Sequence, residues 1–171
     1  TIPPIRKFDD PNTDENNKTG SGSFRDFVLL HISDIYLVAA EAYLMAGNEG
    51  EAINYLNQVR SRSGASTLTS FADYQRFDPD LDQYVNADQN IDVILDERAR
   101  ELLGEYYRWM DLRRTRQLVK YNVKWNTFVT LNNMVGGDGN IKWLRPIPAE
   151  EIGLNTGISP EDQNPGYSAS T

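Results

Sequence analysis

The chain contains no cysteine and one histidine, His31. Without cysteine there are no disulfides, no thiolate metal ligands and no thiol nucleophile. A Ser-His-Asp triad would have to use His31, and no G-x-S-x-G turn supplies the serine. His31 has no second histidine beside it to complete a metal site, so no metal or cofactor is expected. No apolar run approaches the ~20 residues that a membrane helix needs. Positive charge is the scarcer sign, with 17 Lys and Arg against 25 Asp and Glu and a net charge of −8. An acidic surface repels phosphate backbones, so nucleic acid is not an expected partner. The chain starts at Thr1 rather than Met and shows no signal peptide, and so reads as a processed or trimmed product.

What is present is ordinary for a globular domain: 171 residues, 39% hydrophobic and 25% charged. That length predicts one domain with a real core. Residues 1–23 carry three prolines and many Asn, Asp, Thr and Gly, a composition expected to form an extended arm or loop. Residues 24–171 then form the folded part. Residues 33–46, SDIYLVAAEAYLMA, predict a helix with Ser33 as its cap and Gly47 as its stop. Asn48 is expected to cap a second helix through a capping box with Glu51, ending near Gly64. So short a connection makes the two helices antiparallel.

This hairpin resembles a tetratricopeptide repeat in the spacing of Tyr36, Ala40, Tyr43, Gly47, Ala52, Leu56 and Val59. A single repeat cannot bury its own face, so one side of the hairpin should be left for something else to cover. Residues 65–90 read as a long loop anchored by its aromatics. Its D-P-D-L-D-Q run lacks the glycine and distal glutamate of a calcium loop.

A third helix is expected from a cap at Asn90, with Ile91, Ile94, Leu95, Arg98 and Leu102 along one side. Gly104 interrupts it, and a fourth helix is expected over residues 105–119, with Tyr106, Trp109, Leu112 and Arg113 together. Helical periodicity fades beyond Lys120. Residues 134–143, MVGGDGNIKW, predict a turn between short extended pieces, without the setting of a phosphate loop. Pro146 and Pro148 forbid a helix there, residues 149–152 suit one helical turn, and the Asn164 to Tyr167 run NPGY closes the chain. The fold class expected is mainly α: a tetratricopeptide-like hairpin plus a second helix pair, with long irregular loops and little β.

Residues 96–115, DERARELLGEYYRWMDLRRT, alternate paired acids and bases with large rings. Glu97 and Glu101 lie one helical turn apart, a pair that could in principle serve as the acid and base of a glycosidase. Each acid, however, has an arginine close by, which keeps a carboxylate ionised where a general acid must be protonated. Glu97, Arg98 and Glu101, with Arg108 pairing to Asp111 at i,i+3 and Trp109 between them, are therefore expected to be a structural network tying helix pairs together. Among the aromatics Trp125, Trp143, Tyr106, Tyr107 and Tyr121, the two tryptophans fall in the part expected to be irregular. Trp125 and Trp143 are the ligand-binding candidates, since flat rings in loops suit sugars or peptide side chains.

Several motifs in order resemble the C-terminal half of the SusD/RagB family, outer-membrane nutrient-binding lipoproteins of Bacteroidetes. DIYLVAAEAYLMAGNEGEAINYLNQVRSRSG is similar to its last tetratricopeptide-like hairpin. ILDERARELLGEYYRWMDLRRT resembles its E-R-x-x-E-L…R-W-x-D-L segment, and LRPIPAEEIGLN followed by QNPGY its terminal signature. The resemblance implies a mostly helical fold and a surface-exposed place at the outer membrane. It implies binding of a glycan or other nutrient without catalysis, and a TonB-dependent, SusC-like transporter as partner. Members are longer than this chain, and their membrane attachment runs through a lipidated N-terminus that it lacks. No glycan-contacting residue of the family has a motif that can be placed here. The other expectation from the residues alone is a tetratricopeptide-type protein-interaction module.

Overall fold

Helix α3, Ile91–Glu101, is buried on every side from Ile91 to Arg98 in the computed structural model, which describes residues 7–8, 26, 28–73 and 91–168. The one-sided stripe expected of this helix is incomplete, because Asp92, Val93, Asp96 and Glu97 are buried as well. Leu95 and Ile94 are fully enclosed, and each contributes about 1.5–3 kcal/mol by leaving water. A helix with no solvent face must neutralise its own charges inside the protein, and that requirement shapes everything packed around it.

Before it run α1, Ile32–Met45, and α2, Glu49–Arg62. Helix α1 begins one residue earlier than its sequence suggests, so Ser33 is a buried first-turn residue and not the cap. Gly47, at φ 76°, ends it: its N–H donates to Leu44 O and that of Asn48 to Tyr43 O. Asn48 caps α2 by accepting the Glu51 N–H at 3.2 Å. The expected reciprocal half of the capping box is replaced, since the Glu51 carboxylate accepts from Asn54. Tyr55 on α2 lies 5.4 Å from the Tyr43 ring and 6.1 Å from that of Tyr36 on α1. Ala40 and Ala52 are fully buried in the core shared with Leu37, Leu56, Ile94 and Leu118.

The fourth helix predicted from the sequence is two. Helix α4, Arg108–Arg114, stops at a corner, and α5, Leu118–Trp125, follows. The corner is a glycine-type helix ending made without glycine. The Arg116 N–H donates to Arg113 O and the Gln117 N–H to Leu112 O, with Arg116 in the left-handed region at φ 57°. An arginine gives no stop signal, so the break was not legible, and helix continues past Lys120. Trp125 accordingly ends a helix. Tyr106 is also left-handed, at φ 66°, and stands 94% exposed, apart from the group in which it was expected.

Beyond α6, Leu131–Met134, and α7, Ala149–Leu154, the tail is held by side chains. Val135 and Ile141 bridge antiparallel across the Gly-rich turn, as the sequence suggests. The segment from Leu144 to Pro148 cannot join a ladder through its prolines. Gln163 instead both accepts from Ile147 N and donates to Ile147 O, at 2.8 and 2.9 Å. Asn164 donates to Arg145 O and the Tyr167 hydroxyl to Leu144 O. Asp138 clips the turn to the tail by accepting from Gly166 N at 3.0 Å.

A Cβ on Gly136 would stand 2.3 Å from Gly166 O, a backbone atom that cannot swing aside. Gly136→Ala is expected to destabilise the protein by about 1–3 kcal/mol in denaturant titration.

The chain divides into two compact units, Thr1–Ile32 and Ser33–Thr171. In the first, Lys7 lies over the Phe8 ring and residues 28–30 are exposed. Most of the expected arm, the Asn90 cap and the D-P-D-L-D-Q loop lie outside the described residues. The mainly helical class holds, with no β-strand among the described residues.

Candidate functional site

The charged cluster joins α1, α3 and α4. Arg98 Nη1 donates to Asp34 at 2.6 Å, and its Nε to Asp111 at 2.7 Å. Asp111 also accepts from Arg114 at 2.9 Å, and Arg114 reaches on to Glu41. Arg98 and Asp111 are buried. Burial alone would lower the Arg98 pKa, but the hydrogen bonds and charges of Asp111 and Asp34 outweigh it and hold the guanidinium above its ordinary value. Asp34 and Glu41, two turns apart on a mostly apolar helix, were not anticipated. Their signal was the spacing of two acids on the face that α1 turns inward.

Arg108 does not pair with Asp111, as had been expected from its i,i+3 position. Asp111 is saturated by Arg98 and Arg114, and Arg108 turns away. It donates to Leu95 O at 2.8 Å and lies over the Tyr121 ring at 4.5 Å. Trp109 is partly buried against the core, under the Arg145 guanidinium.

Glu97 accepts from Arg60 and Arg100, both at 2.7 Å, and Glu101 from Arg62. Both acids line a cleft of about 390 Å³. Each is engaged by a guanidinium that joins α3 to α2.

A second buried set, also unforeseen, lies behind α5. Lys120 donates to Asp92 at 2.6 Å, and the Tyr121 hydroxyl to Asp92 at 3.2 Å. Burial pushes the Asp92 carboxyl above the usual carboxylate range, and Lys120 pulls it down without cancelling the rise. Burial, reinforced by the Asp92 charge, pushes the Tyr121 phenol up.

The two candidate tryptophans differ. Trp125 is 61% exposed on the rim of a groove of about 260 Å³ that also contains Arg108, Tyr121, Asn122 and Asn126. Trp143 is partly buried on the core, with the Arg116 guanidinium 5.4 Å above its ring. Trp143 does not line the groove that holds Trp125. No group of acids or histidines among the described residues is arranged to hold a metal, and no described helix is long and apolar enough to cross a membrane.

With the arginine-stitched cluster and the clipped proline tail in view, a sequence profile of the SusD family matches residues 1–167. The chain belongs to the SusD family. Two proteins of Formosa agariphila are similar to it. SusD-like protein P2 is 26% identical over 162 residues, covering 86% of this chain and 27% of that protein. SusD-like protein P38 is 36% identical over 95 residues, covering 56% of this chain and 18% of that protein. The chain thus spans about a quarter or less of the length of these SusD relatives. No solved structure matches it. The segments whose sequence motifs resemble the family's form α1 to α4 and the side-chain-bound tail.

Proposed function

We propose that the protein is a nutrient-binding subunit at the outer-membrane surface that captures a glycan for a TonB-dependent, SusC-like transporter and does not cleave it. Family membership carries this reading. Two features of the site support it. The carboxylates closest to a catalytic arrangement are held by arginines. An exposed tryptophan on a groove rim presents the flat apolar face on which pyranose rings stack. Attachment to the membrane is through a lipidated N-terminus.

The test is calorimetric titration of the intact protein against a panel of oligosaccharides, with co-purification from outer membranes. Binding of at least one glycan and recovery of a TonB-dependent transporter are expected. Capture of peptides with no glycan bound would refute the reading.

A second reading, a tetratricopeptide-type interaction module, is favoured by one observation. Ile35, Val38 and Met45 form an exposed apolar stripe along α1. It predicts that substituting Val38→Glu abolishes binding of a protein partner while glycan affinity is unchanged.

A further inference from the structure

Charge is segregated along this acidic chain. Between Leu112 and Ala149 stand seven lysines and arginines and a single acid, Asp138. Arg114 and Lys120 are spent on buried acids. Arg113, Arg116, Lys142 and Arg145 have no carboxylate within 4 Å among the described residues. The stretch of chain that bears Trp125 and Trp143 therefore carries a local excess of positive charge in a molecule of net charge −8. Such an excess favours anions locally against the field of the whole.

Arg108 precedes that stretch and is half-buried at the wall of the Trp125 groove, where among the described residues no carboxylate forms an ion pair with it. One N–H is used on Leu95 O and its face is laid on Tyr121. Its remaining donors form a planar fork matched to carboxylate or sulfate oxygens. Asp92, behind Tyr121, pairs with Lys120, and the charge of buried Asp96 also acts on Tyr121 without forming an ion pair to Arg108. At the rim, Asn122 uses its amide nitrogen on Leu118 O, leaving its side-chain oxygen to accept. Asn126 uses its side-chain oxygen on Phe128 N, leaving its amide nitrogen to donate. A groove of about 260 Å³ holds one or two sugar units.

We infer that this groove binds an anionic glycan, with a carboxylate- or sulfate-bearing sugar stacked on Trp125, its charged group on Arg108 and its hydroxyls on Asn122 and Asn126. The inference rests on the nutrient-binding reading and adds the ligand's charge and place. A positive side chain left half-buried without an ion-pair partner costs stability in the free protein, and an anionic ligand reduces that cost on binding.

The experiment is calorimetry of the intact protein with short oligogalacturonate, short sulfated dextran, and neutral maltohexaose and xylohexaose. Arg108→Gln and Trp125→Ala are run beside the wild type with melting temperatures. One or both anionic oligosaccharides should bind and the neutral ones should not, with at least tenfold weaker binding in each variant. Trp125→Ala, at an exposed site, should melt as the wild type does, so its loss of affinity cannot come from unfolding. Whether the carboxylate or the sulfate probe binds names the anionic group. Binding of only neutral sugars would overturn the anionic assignment and keep the nutrient-binding reading. Anionic binding unchanged in Trp125→Ala would overturn the site. No binding to any of the four overturns this inference, and the nutrient-binding reading falls only if the wider panel is also silent.

Discussion

Replacing Asp111 by alanine is expected to lower stability by about 3–5 kcal/mol in chemical denaturation. The carboxylate lies between Arg98 and Arg114, and through them it connects α4 to Asp34 and Glu41 on α1. Without it, Arg98 stays buried with half of its counter-charge gone, and the desolvation it has already suffered is no longer offset. Asp111→Asn keeps the shape and one acceptor, so it should retain part of the loss. Arg62→Ala makes the contrast. It breaks an ion pair too, but more than half of the Arg62 side chain is exposed, and less than about 1 kcal/mol should follow. Equal effects of Asp111→Ala and Arg62→Ala would show that burial does not govern the cluster.

Lys120→Met should be comparably harmful at neutral pH, by about 3–5 kcal/mol, and should recover in acid. Asp92 is fully buried, and burial already places its carboxyl above the usual range. Removing Lys120 deletes the hydrogen bond and the charge that pull it down, so it rises further. A carboxyl whose folded pKa exceeds its unfolded value does not weigh on the fold below the unfolded value. The penalty appears as pH rises through the folded value. The deficit of the variant relative to wild type should therefore shrink from about pH 7 toward about pH 4, near the unfolded range of Asp. A deficit independent of pH would mean that lost packing of the lysine stem, and not the unpaired carboxylate, sets the cost.

These two sites mark what the sequence could and could not tell. Helices α1 and α2 were legible because Gly47, Asn48 and Gly64 act locally, through caps and left-handed stops that need no tertiary partner. The proline tail was legible as non-helical for the same reason. The division of α4 from α5 was not, because the left-handed residue is Arg116, a residue type with no intrinsic preference for that conformation.

That the acids of this stretch would meet arginines was legible from their alternation. The cluster's partners were not, since Asp34, Glu41, Arg60 and Arg62 come from helices more than thirty residues away in the chain. That distance also misled the pairing of Arg108. Local spacing offered it Asp111, and the more distant Arg98 claimed that acid first. Freed from it, Arg108 faces Trp125 across a groove whose existence depends on α5, the helix that the sequence left unresolved.

In the proposed function the carboxylates around α3 carry structure and glycan is bound without being cut. Release of reducing ends tests this most directly, with the intact protein incubated with each oligosaccharide it binds. No new reducing ends above a protein-free control are expected, from wild type or from Glu101→Gln. Reducing ends produced by the wild type and lost in Glu101→Gln, at an unchanged melting temperature, would contradict it.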